Sequence, residues 1–265
     1  MAGVMRTASL SVAIVTLAAI GLAGQFEWRA QQYAITSNAI YLAEVLPPGV
    51  TVSAPDPTVM ADGRRRLADL VEATIFDVIA KSDFTAAQVS EALRELQGDL
   101  GLSKMYPRRS NVPFADLAAV QGARSLVVAF GILSGGPVVP NVDAHIRFYA
   151  GVANQWSYHG DVGASFGKRA FSIVRIRSGL PTEVWYVVSG AVLGATGQHL
   201  KVTVYGFDGL NVREVWDIDR LEGGSVRVGE DSLTVNYLDS SLGPFIIPRE
   251  VTEIYYITSA GLIRR

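Results

Sequence analysis

The spacing of apolar residues changes character near Arg124, helical before it and strand-like after it. Two helices are predicted upstream. Between Arg64 and Lys81, Leu67, Leu70, Val71, Ile75, Phe76, Val78 and Ile79 recur three and four residues apart, the stripe of one buried helix face. The next helix has a capping box, Thr85 with Gln88 three residues on, and a hydrophobic staple of Phe84 and Val89. Val89, Ala92, Leu93 and Leu96 form its apolar face, and Gly98 is placed to end it. Only Ser82-Asp83-Phe84 separates the two, which predicts an antiparallel helical hairpin.

Downstream, Leu126 to Leu133 is a continuous apolar run of strand length, predicted to be buried on both faces. Strands are then expected at 145–149, 155–158, 170–177, 183–189, 200–207, 210–216, 225–228, 232–237 and 250–258, with a last turn into Leu262-Ile263-Arg264. The stretch 160–167, with Gly160, Gly163 and Gly167, reads as a loop, and Gly190 to Gly197 as a glycine-rich connection. The strongest signal is Asp208-Gly209 between Leu200–Phe207 and Leu210–Trp216, a hairpin turn. The fold class expected is α+β: a helical front followed by an antiparallel all-β meander, a sandwich or propeller-blade-like. The run Lys201–Leu238, with Trp216 inside it, resembles a single propeller blade.

The first residues change this picture from a cytoplasmic to an exported protein. Arg6 precedes an apolar run from Leu10 to Leu22, and Gly21-Leu22-Ala23 supplies small residues for cleavage after Ala23. The rival is an uncleaved anchor, because the uncharged stretch 7–25 is close to the length of a membrane span. Gln25 stands where a lipoprotein needs cysteine. Phe26 to Leu46 has a loose helical face through Tyr33, Ser37, Tyr41 and Val45, read as a packing helix and not a membrane-proximal one. Pro47, Pro48, Pro55 and Pro57 mark 47–62 as a linker. The organisation expected is 1–23 signal peptide or anchor, 24–62 helix and Pro-rich linker, 63–110 helical hairpin, and 111–265 antiparallel β domain.

Composition narrows the partners. With 49% hydrophobic and 18% charged residues the chain can bury a substantial core. A net charge of −2 argues against nucleic acid, and the absence of cysteine removes disulfides and thiolate chemistry. Arg64-Arg65-Arg66 is the densest charge run and reads as a solvated start of a helix. Membrane contact is expected only if the N-terminal segment stays uncleaved. The partners expected are a protein, peptide or glycan of the cell envelope.

Candidate chemistry is sparse. The 3 histidines, His145, His159 and His199, form no metal-binding spacing, and no metal or other cofactor is expected. Gly190 to Gly197 lacks the Lys-Ser/Thr ending of a phosphate loop. Gly163-Ala164-Ser165-Phe166-Gly167 has the letters of a nucleophile elbow but runs on into a strand. His159 and Asp161 lie close in sequence to Ser165, and Asp217 and Asp219 form a possible carboxylate pair. Asp208 reads as a turn residue that caps its own loop. The better argument is aromatic. Adjacent rings in a strand face opposite ways, so Trp185-Tyr186 and Tyr255-Tyr256 each place one ring outside the core unless both faces are covered. Trp185, Tyr186, Tyr255 and Tyr256 are therefore the candidate binding residues. The function expected is a non-catalytic binding or structural β-domain, periplasmic or secreted. The alternatives are membrane anchoring by residues 7–25 and an exported hydrolase acting on glycan, ester or peptide.

Overall fold

The computed structural model describes residues 57–100, 113–135, 140–152, 155–167, 171–194, 197–239 and 249–264. The expected signal, its cleavage site at Ala23 and the helix 26–46 lie outside the described residues. Two helices open the described chain, α1 (Pro57–Ile79) and α2 (Ala86–Asp99). Three open, four-stranded antiparallel sheets follow in strict succession. Sheet A holds β1 (Phe114–Val120), β2 (Ala123–Gly135), β3 (Pro140–Val152) and β4 (Gln155–Phe166) in chain order. Sheet B holds β5 (Ser172–Ile176), β6 (Val184–Gly194), β7 (Gly197–Phe207) and β8 (Val212–Glu222), also in order. Sheet C holds β9 (Ser225–Val228), β10 (Ser232–Asp239), β11 (Arg249–Thr258) and β12 (Gly261–Arg264).

The helical hairpin forms for the reasons its sequence announces. The Thr85 hydroxyl accepts from the Gln88 backbone N–H, and the Gln88 side chain accepts from the Thr85 N–H. Phe84 and Val89 are buried as the staple requires. Two boundaries differ from expectation. Helix α1 begins at Pro57, inside the supposed linker, because proline needs no hydrogen-bond acceptor in a first turn. The arginine run consequently sits in the second turn and beyond, with Arg65 paired to Asp62 at 2.7 Å. Gly98 lies within α2, which closes on Leu100 in a right-handed conformation and so has no use for a left-handed glycine stop.

Four layers result. One face of sheet A receives the helices: Phe76 stands edge-on to Tyr149 (5.8 Å), Phe84 meets Trp156 (5.1 Å), and Arg147 donates to Glu72 across the seam (2.8 Å). The other face meets sheet B, with Phe148 against Phe207 (5.3 Å) and Phe114 against Tyr186. Leu126 to Ile132 is thus covered on both sides, as its unbroken apolar run requires. Sheet B is covered twice as well. Tyr186, Val188, Tyr205 and Phe207 share the core with sheet A, while Trp185, Val187, Val202 and Val204 pack on sheet C. Sheet C buries Leu233, Val235 and Tyr255 inward and turns Ile254, Tyr256 and Ile263 outward.

The sheets also correct several sequence expectations. The segment 160–167 is strand for all but its last residue, and β1, unforeseen, edges sheet A. Glycines between 190 and 197 belong to a long β6–β7 hairpin; at Gly190 an added Cβ would lie 2.4 Å from the Phe166 ring. That glycine is therefore a packing residue and not a turn residue. The supposed blade Lys201–Leu238 is divided between two sheets, β7 and β8 in B and β9 and β10 in C. The Asp208-Gly209 hairpin stands as expected, with Phe207 opposite Val212 and Gly209 at φ +94°.

Double coverage makes a stability prediction. Trp185→Ala, which empties a site between sheets B and C, should lower unfolding free energy by about 3–5 kcal/mol. Tyr256→Ala, on the open face of sheet C, should cost less than about 1 kcal/mol. Urea denaturation of the two variants checks the contrast.

Candidate functional site

Sheets A and B meet at one end in an open cleft of ≈ 550 Å³. Four pieces of chain build it. The β1–β2 turn is Gln121-Gly122, both at positive φ (49° and 81°), the backbone of a two-residue hairpin that follows strand twist. The end of β3 brings Ala150 and Val152, the start of β4 brings Gln155, Trp156, Ser157 and His159, and the β7–β8 turn brings Asp208, Gly209 and Leu210. Val152 and Leu210 are 66% and 69% exposed, so the rim offers apolar surface that nothing in the described chain covers.

His159 owes its place to a break in register. Phe148 pairs with Gly160 and Tyr149 with Tyr158, which leaves His159 as the extra residue of a β-bulge. Gly160 follows at φ +128°, a conformation open to glycine. The imidazole thereby faces sheet B, packs on Phe207 (5.9 Å) and reaches two partners. Its Nδ1 lies 3.1 Å from the Leu210 carbonyl, and its Nε2 lies 2.8 Å from Ser157 Oγ. A carbonyl only accepts, so Nδ1 carries the proton in the neutral ring and Nε2 accepts from the serine hydroxyl. The Ala150 carbonyl, 3.3 Å from Ser157 Oγ, is a second acceptor for that hydroxyl.

The Leu210 carbonyl is itself held. Asp208 Oδ1 accepts from the N–H groups of Leu210 (2.8 Å) and Asn211 (2.6 Å), closing the turn as its sequence announces. Partial burial raises the Asp208 carboxyl, but these backbone donors outweigh it and hold the group below its ordinary range. Beside it, Glu183 accepts a two-pronged hydrogen bond from Arg213 (2.9 and 2.8 Å) and another from Trp185 Nε1 (2.6 Å). Burial pushes Glu183 up, and the Arg213 and Trp185 donors more than reverse this, so it too lies below its ordinary range. Gly206 makes the clamp possible, since a Cβ there would sit 2.8 Å from Glu183 Oε2.

On the opposite face of β4 is a second polar group. Tyr158 donates to Asp161 (3.0 Å), and desolvation followed by the Asp161 contact pushes its hydroxyl up to about 12. His145 lies 3.6 Å from Asp161 and stacks on Phe130, while Arg147 spans the rings of Phe130 and Tyr158. These contacts lie within sheet A and hold Arg147 where it reaches Glu72 on the first helix.

The residues proposed from sequence fall as follows. Trp185 and Tyr186 are both fully buried, because sheet B is covered on both faces; Tyr186 donates to Asp116 (2.8 Å) and burial raises its hydroxyl. Tyr255 is buried and donates to Glu253, leaving Tyr256, 39% exposed, as the accessible ring of the four. Ser165 sits near the far end of β4, about 20 Å along an extended strand from His159. Asp161 faces the helices while His159 faces sheet B, so these three do not assemble. Asp217 and Asp219 stand exposed on β8, and no group of three metal-ligating side chains occurs among the described residues. Ser157 was not singled out from sequence. Its only signal is the Ser-Tyr-His spacing, which acquires meaning through the bulge.

No protein family model matches the chain, and no curated protein or solved structure is significantly similar to it. Among the described residues, no helix is long and apolar enough to cross a membrane.

The Glu183 clamp makes a pH prediction. A carboxyl whose folded pKa is lowered contributes stability above its unfolded value, roughly 4.3, and loses it as pH falls through the folded value. Glu183→Gln should be less stable than wild type at neutral pH, and the difference should shrink below about pH 4. Denaturant midpoints measured from neutral to strongly acidic pH check this.

Proposed function

We propose that this protein is an exported, envelope-associated binding protein that takes a small neutral ligand, or one residue of a peptide or glycan, in the cleft between sheets A and B. The observation that carries the reading is the cleft's lining. Apolar groups from Val120, Ala150 and Leu210 are interspersed with the hydrogen-bonding side chains of Gln155, Ser157 and His159. No Lys or Arg contributes to it among the described residues, and Asp208 is its one charge, which disfavours anions. The three consecutive meanders fit a blade-like stack better than a two-sheet sandwich, and this leaves turns from neighbouring sheets gathered at one end, where loops carry function. Export is inferred from the Arg6, Leu10–Leu22 and Ala23 pattern.

A hydrolytic reading is favoured by one observation, the 2.8 Å contact of Ser157 with His159 at the floor of a site open to solvent.

Two measurements test the proposal. Titration with a library of neutral fragments, followed by amide chemical shifts, should move signals of Trp156, Ser157, His159 and Leu210 together. Leu210→Asp should abolish the response. Shifts confined to Tyr256 and its neighbours on sheet C would contradict the site. Intact mass of the protein from separated cell fractions should give a soluble form that starts at Gly24. A full-length membrane form would replace export with anchoring, and a full-length cytoplasmic form would overturn both.

A further inference from the structure

We propose that Ser157 is a nucleophile activated by His159, and that the cleft performs acyl transfer from neutral carboxylic esters to water. The inference rests on the cleft being the ligand site and adds a chemistry to it. The geometry has the three parts such a step needs. The nucleophile is exposed, its oxygen is 2.8 Å from the base, and the base is oriented through its other nitrogen by an acceptor at 3.1 Å. Here the orienting acceptor is the Leu210 carbonyl, fixed by the Asp208 turn. The tautomer this enforces is the productive one, with Nε2 free to take the serine proton. The β-bulge at His159 and Gly160 interrupts pairing in β4 at the position where the ring must be aimed. β4 is an edge strand of sheet A, so alternate N–H groups along it point away from β3.

In the step, the Ser157 proton passes to His159 Nε2 as Oγ bonds to the ester carbonyl carbon. The ester C–O bond breaks, and the departing alkoxide takes the proton from Nε2 and leaves as the alcohol. Water then adds to the acyl-serine, giving its proton to Nε2. The carboxylic acid leaves, and Ser157 regains its proton. The apolar wall of Val120 and Ala150 suits an aliphatic or aryl acyl group, and Asp208 opposes an anionic one. A carbonyl orients the imidazole without supplying the negative charge that would stabilise an imidazolium, so turnover is expected to be slow. Covalent capture is therefore the sensitive readout.

The full chain is treated with an alkyl fluorophosphonate and analysed by intact mass and peptide mapping, with fragment binding measured on the same samples. The expected result is one adduct per chain on Ser157. It should be absent in Ser157→Ala, slowed at least about 100-fold in His159→Gln as loss of a general base predicts, and unchanged in Ser165→Ala. No adduct on folded wild-type protein, or an adduct that persists in Ser157→Ala, overturns the proposal. Fragments that still bind the cleft in that case leave the binding function standing; loss of both removes the site altogether.

Discussion

Trp185 and Tyr186 are neighbours in sequence and belong to different cores, one between sheets B and C, the other between B and A. The rest of the structure depends on this double coverage of sheet B. A strand buried on both faces has no polar side, so its neighbours must come from two directions. Their hydroxyl and indole groups must then find partners inside. Tyr186 finds Asp116 on β1 and Trp185 finds Glu183 beside its own strand, so the aromatic pair ties sheet B to sheet A by a hydrogen bond and to sheet C by packing. Arg175, which also reaches Asp116 (2.9 Å), closes the seam between β1 and β5.

The cleft is a by-product of this stacking that the local sequence has refined. Consecutive meanders leave hairpin turns of adjacent sheets side by side, and here the β7–β8 turn abuts the edge strand of sheet A. The bulge in β4 supplies the bridge between them. His159 reaches across to a carbonyl whose position is set by Asp208, and the Glu183–Arg213 pair braces the same hairpin from its base. The site is thus held by groups from both sheets, which is why a change in the turn is expected to be felt at Ser157.

Sequence patterning revealed those elements whose signals are local. The capping box at Thr85, the Asp-Gly hairpin and the doubly buried run at Leu126 each carry their cause within a few residues. Features decided by distant contacts were illegible. Gly190 reads as a connector until the Phe166 ring is placed against it, and Gly160 reads as loop until the register of β3 shows a bulge. The aromatic pairs illustrate the same limit. Alternation correctly separates Tyr255 from Tyr256, but only the position of sheet B in the stack decides that neither Trp185 nor Tyr186 reaches solvent. For the candidate site, His159 was visible and its partner was not, because Ser157 is brought into place by register and not by motif.

Residue-resolved hydrogen exchange tests the account most directly. If double coverage holds the stack together, the slowest amides should be those of β2, β6 and β7, around Val127–Ala129, Trp185–Val188 and Val202–Tyr205, with sheet C and its short strands β9 and β12 opening first. Exchange of β6 and β7 as fast as that of β9 and β12 would contradict it, and would mean that sheet B is not the buried centre of the molecule.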